Sequence, residues 1–107
     1  MSDQGITIDS VMCRADALSN QANQSLSAEG NEMFRQLHTS NIYRVISNYY
    51  KIKNNEPGVP RIANPDAKQT YLAKLVSDID IAIINAEVAF LNFYGVYGVQ
   101  VDNKIPG

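Results

Sequence analysis

From residue 70 onward the apolar positions fall into two sectors, and a single buried face uses only one of them. Leu72, Leu75, Val76, Ile79, Ile83, Ala86, Phe90 and Phe93 share one sector at about 100° per residue, which predicts a helix over 65–94. Ile81, Ile84, Val88 and Leu91 cluster roughly opposite Ile79. Asp80 and Glu87 separate the two stripes on one side, and Asp78, Asn85 and Asn92 separate them on the other.

The segment 31–53 reads as a second long helix. It carries Phe34, Leu37, Val45, Tyr49 and Ile52 on one face, with Tyr43, Ile46 and Tyr50 far round from it. Between the two lies a proline-rich turn over 54–64. Lys53 or Asn54 is expected to end the first helix; Asn64 as N-cap, Pro65 in the first turn and Asp66 near the positive end start the next. Upstream, 9–28 predicts an N-terminal helix with a thin stripe of Val11, Ala15, Leu18, Ala22 and Leu26, enough to lie on a neighbour but not to organise a core. Gly30 stands between the two segments. An internal glycine costs only ~1 kcal/mol against alanine, so the sequence leaves open whether it breaks the helix. The glycines and valines from Gly95 favour loose or extended backbone, which makes 95–107 a tail.

The fold class is therefore all-α: a helical hairpin of two long helices, an additional N-terminal helix giving a three-helix arrangement, and a non-helical C-terminal tail. At 107 residues the chain is a single domain, 1–107.

A hairpin consumes one face of each helix and leaves Tyr43, Ile46 and Tyr50 on one, and Ile81, Ile84, Val88 and Leu91 on the other. The N-terminal segment covers one leftover stripe but hardly both. Either the last helix is central and enclosed in a three-helix bundle, or a stripe is an association surface; each aliphatic side chain left wet forfeits about 1.5–3 kcal/mol relative to full burial. The expectation is a non-catalytic structural subunit that self-associates into a homo-oligomer through these residues. Two different stripes meeting head-to-tail give an open filament or ribbon. The alternative is a small helical binding module, of adaptor, inhibitor or immunity type, acting on one heterologous protein.

Charge and chemistry change this picture little. The net charge is −2 and the basic residues are scattered, which gives no reason to expect nucleic acid as a partner. The six tyrosines lack a basic groove and read as core or interface residues. No run reaches the ~18 uninterrupted apolar residues of a membrane helix, so no membrane span is expected. The opening MSDQGITID is acidic and polar, unlike a conventional secretory signal. A cytoplasmic location is expected, with secretion by another route left open; Asn23-Gln24-Ser25 then meets the glycosylation pattern by coincidence. Cys13 is the lone cysteine; it sits beside Arg14 near a helix start and is expected to be a small buried or half-buried side chain. His38, with Asn41 one turn on, reads as a hydrogen-bonded boundary residue and not a base. Asp78 and Asp80 point about 200° apart, and adding Glu87 gives no metal-ligand spacing. No cofactor, metal or catalytic residue is expected, and no enzyme.

The stretch Asp78–Ile84 (DIDIAII) resembles the Lys-Asp-Ile-Asp-x-x-Ile-Ile stretch near the end of type III secretion needle subunits, which are small helical hairpins with a proline-bearing turn. The likeness covers those residues alone, and the last helix has no counterpart of the needle Tyr-Asn-Leu-Tyr-Arg element. The opening ITIDSV…NQANQSL is similar in flavour to the small proteins that polymerise into bacterial refractile ribbons. Both resemblances imply a helical self-assembler.

Overall fold

Reciprocal capping starts the first helix. In the computed structural model, which describes residues 6–99, the Thr7 hydroxyl accepts from the Ser10 backbone N–H (3.1 Å) and the Ser10 hydroxyl accepts from the Thr7 N–H (3.1 Å). Two donors that the helix leaves unpaired are thereby satisfied. Helix α1 runs over Ile8–Ser25 and buries Val11, Ala15, Leu18 and Ala22. The chain bends at Leu26, which is extended, and Ser27 caps α2, Ala28–Phe34. A π-helical turn, Arg35–Thr39, leads directly into α3, Ser40–Lys53. After α3, Asn55 takes a positive φ of 57°. Its N–H donates to the Ile52 carbonyl (3.1 Å) and the Glu56 N–H reaches the Lys51 carbonyl (2.8 Å), the double closure of a Schellman end with Asn in the usual glycine place. Helix α4, Pro65–Tyr97, starts with the Asn64 side chain accepting from the Ala67 N–H at 2.9 Å.

Among the described residues there is no strand, and the all-helical class stands. Helix α4 is the element on which the others pack. Arg14 of α1 pairs with Asp80, and Leu26 bridges to Gly98. Helix α1 therefore runs parallel to α4. Phe34 stacks edge-on to Phe90 (5.9 Å) and Phe93 (5.3 Å) at the far end, so α2 and α3 run antiparallel to it. At ~1.5 Å per residue α4 alone spans about 50 Å, which accounts for a bundle 62 Å long and only 17 Å thick.

Three features differ from the sequence expectation, and one question that it left open, at Gly30, is answered. The small-residue stripe of α1 is core, with Val11 and Ala15 fully buried; its side chains are short enough to bring the α1 backbone close to α4. Gly30 does not break the helix. The break falls earlier, at Leu26 and Ser27, and Gly30 lies inside α2 because the Tyr97 side chain occupies its flank. The π turn, marked by the Ser40 N–H donating to the Arg35 carbonyl, inserts an extra residue and turns the faces of α3 back by about 100°. Ile42 and Ile46 are buried as a result, whereas Leu37, expected on the core face, is 62% exposed. Finally, α4 continues through Gly95 to Tyr97. The tail expectation holds no further than Gly98 and Val99, and 100–107 lie outside the described residues.

The end of α4 is stitched to the α1–α2 corner. The Ser27 N–H donates to the Tyr97 carbonyl (2.8 Å) and the Val99 N–H to the Ser25 carbonyl (2.7 Å). A Cβ on Gly30 would lie 2.3 Å from the Tyr97 Cβ and 2.5 Å from its Cγ, whereas a Cβ on Gly95 would meet nothing within 4 Å. Two helical glycines should therefore respond oppositely to alanine. Gly30→Ala is expected to destabilise by about 1–3 kcal/mol through overpacking, and Gly95→Ala to stabilise by roughly 0.5–1 kcal/mol. Urea denaturation midpoints measure both; shifts of the same sign would refute the close contact.

Candidate interaction surface

The core face of α4 is closed by its own chain and the opposite face is not. Leu75, Val76, Ile79, Ile83, Ala86 and Phe90 are buried. Ile81 is 53% exposed, Ile84 46%, Val88 59% and Leu91 68%. These four lie 3, 4 and 3 residues apart and make one ridge along about 15 Å of helix.

The ridge has a polar border whose basic neighbours, Arg14 and Lys74, are each held by a carboxylate. Asp80 forms its edge toward α1 and is held there by Arg14. Glu87, on the same edge, is exposed, as are Asn85 and Asn92 on the other. Asp78 accepts from Lys74 one turn earlier (3.0 Å), which places that lysine before the ridge begins. Tyr94, 43% exposed, extends the apolar area past Leu91. Helix α4 is long and apolar enough to cross a membrane by length and composition, and only 22% of its most apolar window is buried.

The second expected surface is different. Ile46 is buried, and Tyr43 and Tyr50 are half-buried against the core. The Tyr43 hydroxyl donates to the Asp16 carboxylate, and the Tyr50 hydroxyl lies 3.3 Å from the Met12 sulfur. Burial, reinforced by the neighbouring Asp16 charge, pushes the Tyr43 hydroxyl up to about 12, so it remains a neutral donor. Helix α1 has taken this face. The expected outward surface of Tyr43, Ile46 and Tyr50 is corrected to an internal α1–α3 contact, and the π turn is its physical cause.

One further residue departs from expectation. Cys13 is exposed, not buried. His38 packs on Phe34 (ring centroids 5.1 Å) and edge-on to Phe93 (6.1 Å), while Asn41 accepts instead from Arg44. Among the described residues no three His, Cys, Asp or Glu side chains are placed to hold a metal ion.

Burial lowers the His38 pKa below its ordinary 6.5. The unfolded chain then takes up a proton more readily than the folded one, so stability is full above about pH 6.5 and is lost as pH falls through the folded value. Glu32, drawn down by its bonds to Arg35 and Gln36, acts only below its ordinary 4.5. Urea midpoints are expected to fall between pH 7.5 and 5.5 in the native chain and to stay level in His38→Gln; equal slopes in the two would refute the assignment to His38. Compared with known protein families, curated proteins and solved structures, the chain has no match.

Proposed function

We propose that this protein is a non-catalytic structural subunit that pairs with a second copy of itself along the ridge of α4. What carries the reading is the exposure of Ile81, Ile84, Val88 and Leu91 together, on the outer face of a helix whose inner face holds the core. Their 3-4-3 spacing is that of a coiled-coil seam, with β-branched Ile81 and Val88 at the first position of each repeat and Ile84 and Leu91 at the fourth. A helix of the same pitch covers such a ridge; a bilayer suits it poorly, since Asp80 and Glu87 border it and the arginine on that edge, Arg14, is already held by Asp80.

The border also favours one orientation. In a parallel, in-register pair Glu87 lies beside Asn92 of the other copy, a neutral acceptor and donor. In the antiparallel pair, with Ile81 facing Leu91, Glu87 lies beside the other Glu87, and like charges repel. A parallel two-fold pair is closed. An open filament needs a second, different face, and α1 has taken the one formed by Tyr43, Ile46 and Tyr50.

The magnitudes predict a weak contact. Each ridge residue is already about half covered, so finishing its burial contributes on the order of 1 kcal/mol. Eight such side chains give roughly 8 kcal/mol, against an association cost of about 4–15 kcal/mol. Pairing is therefore expected at about 1 mM, and only at the low end of that cost.

Sedimentation equilibrium should show reversible dimers in the native chain and monomers in Ile84→Asp/Val88→Asp. That variant should keep its urea midpoint, because both side chains are exposed and no charge becomes buried. A native chain that stays wholly monomeric at about 1 mM, where a contact of that strength is about half formed, would sink the proposal, and a dimer that survives the double substitution would move the contact elsewhere. Orientation is read separately, in a Cys13→Ser background carrying Ile81→Cys or Leu91→Cys. Each variant should cross-link to itself in a parallel pair; in the antiparallel pair like positions sit about 15 Å apart along the axis and should not.

A further inference from the structure

Helix α4 begins well before the level at which α1 joins it, and the cleft between α3 and α4 stays open at that end of the bundle. Ile8, Tyr49, Leu72 and Val76 wall a groove of about 560 Å³, with Lys53 from the last turn of α3 and Lys68 from the first turns of α4 also lining it. That volume falls within the range of small-molecule sites.

The charge in the groove is one-sided. No acidic residue lines it, and among the described residues neither lysine makes an ion pair. The Lys68 ammonium donates to the Asn55 side-chain oxygen at 2.8 Å, a neutral partner that positions the charge without cancelling it. The N-terminus of α4 at Pro65 adds partial positive charge to the same wall. In a chain with a net charge of −2, this is an apolar cleft whose lining carries two lysines and no carboxylate.

We propose that the groove binds a free single-chain alkyl carboxylate. The alkyl chain lies along Tyr49, Leu72 and Val76 and sheds its water there, and the carboxylate meets the Lys53 and Lys68 ammonium groups. An inorganic anion would leave the apolar walls wet, and an alkyl cation would meet like charge. The groove is a short cleft at one end of the rod, a shape that takes one chain end and not a bilayer face. The assignment is independent of the α4 ridge.

Decanoate, titrated calorimetrically below its micelle concentration, is the probe. Saturable one-site binding is expected, with none for decyltrimethylammonium. Lys53→Glu/Lys68→Glu should weaken decanoate by about tenfold or more. Lys53→Gln/Lys68→Gln, which adds no acid and so spares the fold, should weaken it in the same direction. Four results would overturn the proposal: no saturable binding, equal binding of the two amphiphiles, an affinity unchanged in the glutamine pair, or an affinity lost in Ile84→Asp/Val88→Asp, which would put decanoate on the ridge.

Discussion

The contact on which this fold depends is the seat of the Tyr97 side chain against Gly30, where any other residue would place a Cβ 2.3 Å from the Tyr97 Cβ, far inside van der Waals contact. It fixes the end of α4 against the corner between α1 and α2. The backbone bonds from Ser27 to Tyr97 and from Val99 to Ser25 follow from that placement. Once the corner is pinned, α1 must return along α4 in parallel while α2 and α3 descend antiparallel to it. Phe34 then meets Phe90 and Phe93 beneath the corner and is fully buried. Which side of α4 is covered, and so which side is left bare, is settled at this one end.

The bare side follows from the size of the α1 residues. Val11, Ala15, Leu18 and Ala22 let α1 come close, but they reach little beyond the line of contact. Arg14 spans to Asp80 at the edge, and coverage stops there. Helix α3 takes the other flank, with Ile42 and Ile46 buried. Two thin neighbours on adjacent sides of a helix that is apolar on opposite sides leave one sector untouched. The ridge is thus a geometric remainder of the bundle, and larger α1 residues would have pushed that helix away without hiding it.

How much of this was legible depends on whether the helical period was interrupted. Helix α4 keeps one phase over its 33 residues, so both its buried face and its exposed ridge could be read from spacing alone, and α1 likewise. The segment 28–53 could not be read so. Its π turn costs no glycine or proline and leaves only a phase slip: Ile42 is strongly apolar yet had no place on the face drawn through Leu37 and Val45. That slip turned Ile46 inward and removed half of the expected association surface. Gly95 misled for a related reason. A lone helical glycine is a small local penalty, outweighed by Phe93 and Tyr97 packing on the core on either side of it. The stop comes at Gly98, where a Cβ would sit 2.3 Å from the Tyr94 carbonyl oxygen. The bridge from Gly98 to Leu26 joins residues far apart in sequence, and no local pattern announces it.

The acidic border decides how the ridge behaves in water. Apolar attraction acts only at contact, whereas repulsion between carboxylates reaches about 8 Å at physiological salt. Asp80 is partly neutralised by Arg14 and Asp78 by Lys74, which leaves Glu87, halfway along the ridge's edge, as the carboxylate with no ion pair among the described residues. In the proposed pair, one charge of that kind would not overcome four aliphatic side chains on each copy, but it would separate two orientations whose apolar contacts are nearly equal. The aliphatic residues would supply the attraction and have no preferred direction; Glu87, with Asn92 of the other copy, would supply the direction.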